Sequence, residues 1–381
     1  MSTSIFRKNF PQVEKLESKL SQARYIIGLD LHKKTTAITV IDITKQGKPI
    51  YQKKRLENER LPLVLDLFDG HKIVIAEAAY GWFPLRNAIE IKPDVTLAIF
   101  DARKTSAWIV SSGIKNDKID SEVLAYACLN GGLPRLTVYQ SSMESKTNFK
   151  LVNLRDKLSS QRAGVKNQLK ALERDFGINP YTLKQMEKSE RVLLIENSLL
   201  EQLSFLDGQI QKIEREMKKL GKKDEVIEIL ESIPGVGAIT AFALRWKMES
   251  IERFKDPQHL ASYFGLGIRE HQSGDHLQKG KIAKTGNNLI RKLLVQGAQV
   301  ISHTHPEYLR LYFPNLADPE RMKNKKHVNK VVVAVARKQL TFVYYCWKNK
   351  TLFSMQEYKK RRENSIANSQ EDSKTDLSKN S

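Results

Sequence analysis

Cysteine is scarce in this chain. Only Cys128 and Cys346 occur in 381 residues, far apart and in apolar surroundings. Two such residues exclude a disulfide framework and fit no zinc spacing, so both read as buried thiols in a reducing compartment. Long apolar runs are missing as well. No stretch of about 18 apolar residues is present to span a membrane, and the opening MSTSIFRKNF holds no apolar signal core. The expectation is a cytoplasmic protein, nucleoid-associated in a bacterium, with no membrane partner. Negative charge is the third shortage: 43 acids face 64 Lys and Arg, a formal net charge of +21. That excess points to a polyanionic partner, nucleic acid first. Hydrophobic content of 40% is enough for real cores and excludes a disordered chain.

Patterning divides the chain. Residues 1–23 are a polar leader. Short β-type runs follow (YIIGLDLH, TTAITVID, KPIYQKKRL, KIVIAEAA, VTLAIFDA), with helical stretches at LPLVLDLFDG, near 82–91 and at DKIDSEVLAYACLN. Three linked strands and then alternating helices and strands predict an α/β domain over 24–140. Residues 141–222 change character. Leu203, Leu206, Ile210, Ile213, Met217 and Leu220 are spaced as a coiled-coil seam. Leu151, Leu154, Leu158, Val165 and Leu172 hold a weaker heptad, with Gln161 and Gln168 at the intervening core positions. FGINPYT breaks the two helices, which predicts an antiparallel pair or a dimerising arm. Residues 223–350 read as mostly helical with glycine-rich turns, and 351–381 as a polar disordered tail.

Four carboxylates stand out. Asp30 ends the first apolar strand, Glu77 ends a central one, and Asp117 and Asp120 lie three apart on one helix face. Gathering like charges at strand ends is costly without cations between them, and hard divalent ions suit an all-oxygen site. Two such ions can stabilise both the attacking and the leaving oxygen of a phosphate displacement. Each acid taken alone also reads as a cap or a solvated charge. Their order is the one expected of a ribonuclease-H-like nuclease fold.

Further on, SIPGVGAITA sets Gly235 and Gly237 between two helices, a helix-hairpin-helix-like pattern whose backbone N–H groups can meet a phosphate. A tight helix–helix turn accounts for it equally. Lys279, Lys281, Lys284 and Arg291 can neutralise phosphates, and Gly286 and Asn287 form the turn before the helix carrying Arg291. Arg321 to Lys350 hold nine Lys or Arg and no acid, including Lys325, Lys326 and Lys330, and are expected to lie on RNA or DNA phosphates. Ser273 precedes Gly274, so it is either a turn residue or an exposed nucleophile.

Taken together, GLDLHK, AEAAYG, NDKIDSEVLA, a coiled coil, SIPGVGAITA, LASYFGLGIREHQSG, GKIAKTGNNLIRKLL and VVVAVARKQL resemble the DEDD transposases of bacterial insertion sequences, described as bridge-RNA-guided recombinases. The resemblance runs from about residue 25 to 350. It implies a RuvC-like N-terminal domain whose acids, at Asp30, Glu77, Asp117 and Asp120, bind Mg2+. It also implies a C-terminal transposase domain whose serine, at Ser273, attacks the DNA phosphate and forms a phosphoserine link. Further implications are an active site shared between subunits of a dimer to tetramer, and an element-encoded noncoding guide RNA that pairs with donor and target DNA. This chain departs from the family at Ala78–Tyr80 after Glu77, at Ser121 where alanine is commoner, and at Ile268 where proline is usual. Two other readings remain open. One is a hydrolytic junction resolvase in which water attacks and Ser273 is structural. The other is a nucleic-acid-binding protein with a decayed nuclease fold.

Overall fold

The computed structural model describes residues 11–45, 47–78, 82–89, 92–111, 117–177, 188–273, 276–282, 286–304 and 323–357. The chain divides into two compact units, residues 1–141 and 142–381.

The first unit is built on a five-stranded mixed sheet in the order β3-β2-β1-β4-β5. Its strands are β1 (Tyr25–Leu31), β2 (Thr35–Asp42), β3 (Pro49–Glu57), β4 (Lys72–Glu77) and β5 (Val95–Phe100). The first three form an antiparallel meander, and β1, β4 and β5 run parallel. Side chains of a strand alternate between faces, and two separate cores follow from that alternation. Tyr25, Ile27, Leu29, Val74, Ala76, Leu97 and Ile99 pack beneath α2 (Leu61–Leu65) and α3 (Trp82–Ile89). Ile26, Ile73, Ile75, Ala98 and Phe100 pack on the other side against α5 (Asp117–Leu129) and α6 (Leu133–Leu136). The segment read as a polar leader contains a helix, α1 (Pro11–Leu20), because Leu16 and Leu20 recur at helical spacing and join this second core. Helix α4 (Ala102–Ser111) follows β5.

Helix α5 lies unusually close to the sheet. A Cβ placed on Gly28 of β1 would fall 1.9 Å from the Ser121 carbonyl oxygen and 2.9 Å from the Ala125 nitrogen. Only glycine allows that approach. Cys128, on the same helix, is fully buried, and burial pushes its thiol up to about 12. Both cysteines are free and buried, as their apolar surroundings suggested.

The second unit is mostly helical. The long helices α7 (Met143–Phe176) and α8 (Glu190–Gly221) pack along one another. Arg155 pairs with Glu214 and Arg162 with Asp207, so the partner number falls by seven as the α7 number rises by seven. The pair is therefore antiparallel. The α8 seam is as expected: Leu206, Ile210, Ile213 and Met217 are buried. The α7 seam is not. Val165 is buried and Leu151, Leu158 and Leu172 are half-buried, as that heptad requires, but Leu154, Gln161 and Gln168 are exposed and Val152, outside the heptad, is buried. Apolar residues are sparse on α7, and part of its inward face is arginine satisfied by ion pairs. The heptad therefore marks the inward face only in part.

The helices α9 (Glu225–Glu231), α10 (Ala238–Met248), α11 (Pro257–Tyr263), α12 (Asn288–Thr304) and α13 (Lys325–Asn349) build one large core. Within this region a β-hairpin, β6 (Ile268–Ser273) and β7 (His276–Ile282), stands where helices and glycine-rich turns were expected. No helix among the described residues is long and apolar enough to cross a membrane.

Gly28→Ala should cost about 1–3 kcal/mol through overpacking against the α5 backbone. Equilibrium denaturation of the purified protein checks this, and an unchanged midpoint would refute the close approach.

Candidate functional site

Strand alternation puts Asp30 and Glu77 on the sheet face that α5 covers. Asp30 follows Ile26 and Gly28 in period two, and Glu77 follows Ile73 and Ile75. Glu77 ends β4 and Asp30 is the next-to-last residue of β1, strands that run parallel with Leu29 beside Ala76 in register. Asp120 lies in the first turns of α5, one residue before the Ser121 carbonyl that rests on Gly28. The fold therefore brings Asp30, Glu77 and Asp120 to the same side of the sheet, all three half-buried. Asp117 opens the helix, but its side chain lies outside the described residues.

Glu77 and Asp30 each have a neighbour that steadies them. Thr105, buried on α4, donates its hydroxyl to Glu77 Oε1. His32 Nε2 stands 3.5 Å from Asp30 Oδ2. Among the described residues no group of three His, Cys, Asp or Glu is close enough to hold a metal. Magnesium is commonly bound through only one or two carboxylates, the rest of its shell being water and phosphate oxygen. The all-oxygen donors on this face therefore fit a hard divalent ion.

The glycine hairpin of the second unit forms as expected, with α9 and α10 joined through residues 232–237. Its two glycines differ. Gly235 has φ +76°, and an added Cβ would fall 2.5 Å from Gln339 Nε2 and 2.7 Å from the Gly297 carbonyl oxygen. Gly297 is just as tight: its Cβ would lie 2.0 Å from the Gly235 carbonyl oxygen. Gln339, buried on α13, donates to the Pro234 carbonyl at 3.1 Å. Gly235 is thus packed between α12 and α13. Gly237 is exposed, has nothing within 4 Å of an added Cβ, and caps α10 without a side-chain hydrogen bond. Of the two, Gly237 is the one whose surroundings leave room for a phosphate.

Ser273 ends β6 and pairs in register with His276, the first residue of β7. The side chains of Ser273, Lys279, Lys281, Lys325 and Lys326, and the whole of Lys284, lie outside the described residues. Asn287 accepts from the Ile290 N–H at 3.0 Å and so caps α12. Arg291 donates to the Phe264 carbonyl at 3.1 Å, which ties α12 to the end of α11. Lys330 is exposed on α13. Sequence reasoning missed Thr105 and Gln339, because nothing local marks a residue whose partner lies 28 or 105 positions away. Gly28 did carry a signal, as a glycine inside an otherwise apolar strand.

The chain is similar to several known proteins. Residues 227–313 match the family described as Transposase IS116/IS110/IS902 family. The chain is 26% identical over 293 residues to the transposase for insertion sequence element IS1111A of Coxiella burnetii, covering 72% of this chain and 77% of that protein. It is 25% identical over 341 residues to the transposase for insertion sequence element IS1328 of Yersinia enterocolitica, covering 86% and 98%. It is also 29% identical over 184 residues to the pilin gene-inverting protein of Moraxella bovis, covering 42% and 54%.

The glycine geometry predicts a split between two variants. Gly235→Ala should lower stability by about 1–3 kcal/mol, from positive φ and overpacking together. Gly237→Ala should leave stability within about 0.5 kcal/mol, as for an exposed site. Denaturant midpoints check both, and equal losses would refute the distinction.

Proposed function

We propose that this chain is an insertion-sequence transposase that cuts, exchanges and rejoins DNA strands through a covalent phosphoserine at Ser273. The observation that carries the reading is its likeness, along most of its length, to proteins named as insertion-sequence transposases. The strand order of the first unit, with a three-strand meander joined to parallel strands, supports a ribonuclease-H-type, RuvC-like domain.

In this reading the Ser273 hydroxyl attacks a backbone phosphorus and loses its proton to solvent or a neighbouring base. A serine–phosphate ester forms, and the deoxyribose hydroxyl of the cut strand leaves. Attack by the hydroxyl of an incoming strand then restores a phosphodiester and frees the serine. Bond energy is conserved in the ester, so no high-energy cofactor is consumed. Asp30, Glu77, Asp117 and Asp120 would hold Mg2+, which supplies neutralisation of charge on the reacting phosphate. Gly237 and the basic residues Lys279, Lys281, Lys284, Lys325, Lys326 and Lys330 would lie along donor and target DNA and a noncoding guide RNA. The net charge of +21 supports such a polyanion load. An oligomer is part of the proposal. Leu194 and Phe205 of α8 are 68% and 65% exposed and eleven residues apart, three turns along one helix face, and they suit burial by another subunit.

Ser273→Ala should bind DNA and RNA as well as the wild type, because phosphate charge dominates affinity. It should form no covalent adduct and no recombinant product. A denaturing gel of labelled nicked DNA reads this directly. An adduct that persists in Ser273→Ala would move the nucleophile elsewhere. Wild-type cleavage without any adduct would favour the water-driven resolvase.

Charge reversal at Lys325 and Lys326 should weaken nucleic-acid binding and flatten its salt dependence by roughly one unit of slope for each phosphate no longer neutralised. A titration at several salt concentrations decides it, and an unchanged slope would leave this run as a solvated face.

A further inference from the structure

We propose that three buried hydroxyls, those of Thr39, Ser121 and Thr105, are positioning residues that set the geometry of the carboxylates on the α5 face. The inference rests on the reading of those carboxylates as the acids of the reaction.

Helix α5 is held to the sheet mainly by apolar contacts, which are non-directional and leave its position along its own axis poorly determined. One turn of slippage would carry Asp117 and Asp120 by about 5.4 Å. Directional contacts prevent that. Ser121, fully buried and next to Asp120, shares a hydrogen bond of 2.8 Å with Thr39 Oγ1 on β2, also fully buried. Gln52 on β3 donates to Glu122 Oε2 at 3.0 Å, one residue further along the helix. Together with the backbone stop at Gly28, these bonds lock α5 in register against β1, β2 and β3.

Glu77 is steadied from the other side. Thr105 is 1% exposed, and its hydroxyl reaches both Glu77 Oε1 and two carbonyls of its own helix turn, Asp101 O at 3.3 Å and Ala102 O at 3.2 Å. A hydroxyl has one proton to give, and an ionised carboxylate is the stronger acceptor. The proton therefore goes to Glu77 and fixes one of its oxygens. Outer partners of metal-binding carboxylates commonly carry 10–100-fold effects on metal affinity.

The test uses the full-length protein and compares Thr105→Val, Thr105→Ser, Thr39→Val and Ser121→Ala. Ser145→Ala, which removes a buried hydroxyl of the second unit, is the control. Two quantities are read: the rise in thermal midpoint caused by Mg2+ or Mn2+, and the Mg2+ concentration for half-maximal strand cleavage. Thr105→Val, Thr39→Val and Ser121→Ala should lose most of the metal-induced rise and need about tenfold more Mg2+. Thr105→Ser should behave as the wild type, and Ser145→Ala should keep the full rise whatever its own midpoint. If Thr105→Val does not fold, Ser121→Ala, the loss of one oxygen, decides the matter. Midpoints lowered equally with and without metal, at an unchanged Mg2+ requirement, would overturn the proposal. Failure of the acid-site reading looks different: Asp30→Ala would then cleave normally and retain the metal-induced rise.

Discussion

The approach of α5 to β1 at Gly28 is the constraint on which the first unit depends. A helix normally stands off a sheet by the thickness of a side-chain layer. Here the Ser121 carbonyl rests where a Cβ would be, so that layer is missing at the crossing. The consequence is local. Asp30 follows Gly28 by two residues and Asp120 precedes Ser121 by one, so the contact that draws the two backbones together also draws their carboxylates to the same end of the sheet. Thr39 and Ser121, both fully buried, answer each other's hydrogen-bonding need at the contact. A lone hydroxyl there would carry a desolvation cost of about 1–3 kcal/mol.

The second unit solves a similar problem with a pair of glycines. Gly235 in the turn between α9 and α10 and Gly297 in α12 leave each other room, and Gln339 from α13 closes the gap with a bond to Pro234. Residues 235, 297 and 339 are remote in sequence, yet they behave as one joint. The turn that reads as a phosphate-binding hairpin is thereby rigid on its buried side, while Gly237 keeps its backbone open. Rigid support under an exposed backbone donor lowers the ordering cost of meeting a polyanion.

Much of this is legible in the sequence. The strands of the sheet, the helix of NDKIDSEVLA and the α8 seam all follow from periodicity, because each depends on residues a few positions apart. Leu154, Gln161 and Gln168, expected inside but exposed, and Val152, buried but not expected, show where that logic fails. The inward face of α7 is defined by Glu214 and Asp207 on the opposing helix, and no count along α7 can see them. The β6–β7 hairpin escapes for another reason. Its strands, IREHQS and HLQKGKI, are polar, and without alternating apolar residues a strand leaves little trace.

By itself the sequence determined the type of most elements, though not of α1 or the β6–β7 hairpin, together with the excess of positive charge, the order of Asp30, Glu77, Asp117 and Asp120 along the chain, and the placing of Ser273 beside a glycine. These are properties of composition and of short-range spacing, and the chain carries them wherever it goes. Only the tertiary structure decided which face each acid shares, that Thr105 grips Glu77, and that Gly235 is packed while Gly237 is open. It also decided that α7 and α8 lie antiparallel. Those outcomes belong to pairs of residues tens of positions apart, and such pairs come into being only when close packing forces distant backbones to a common surface.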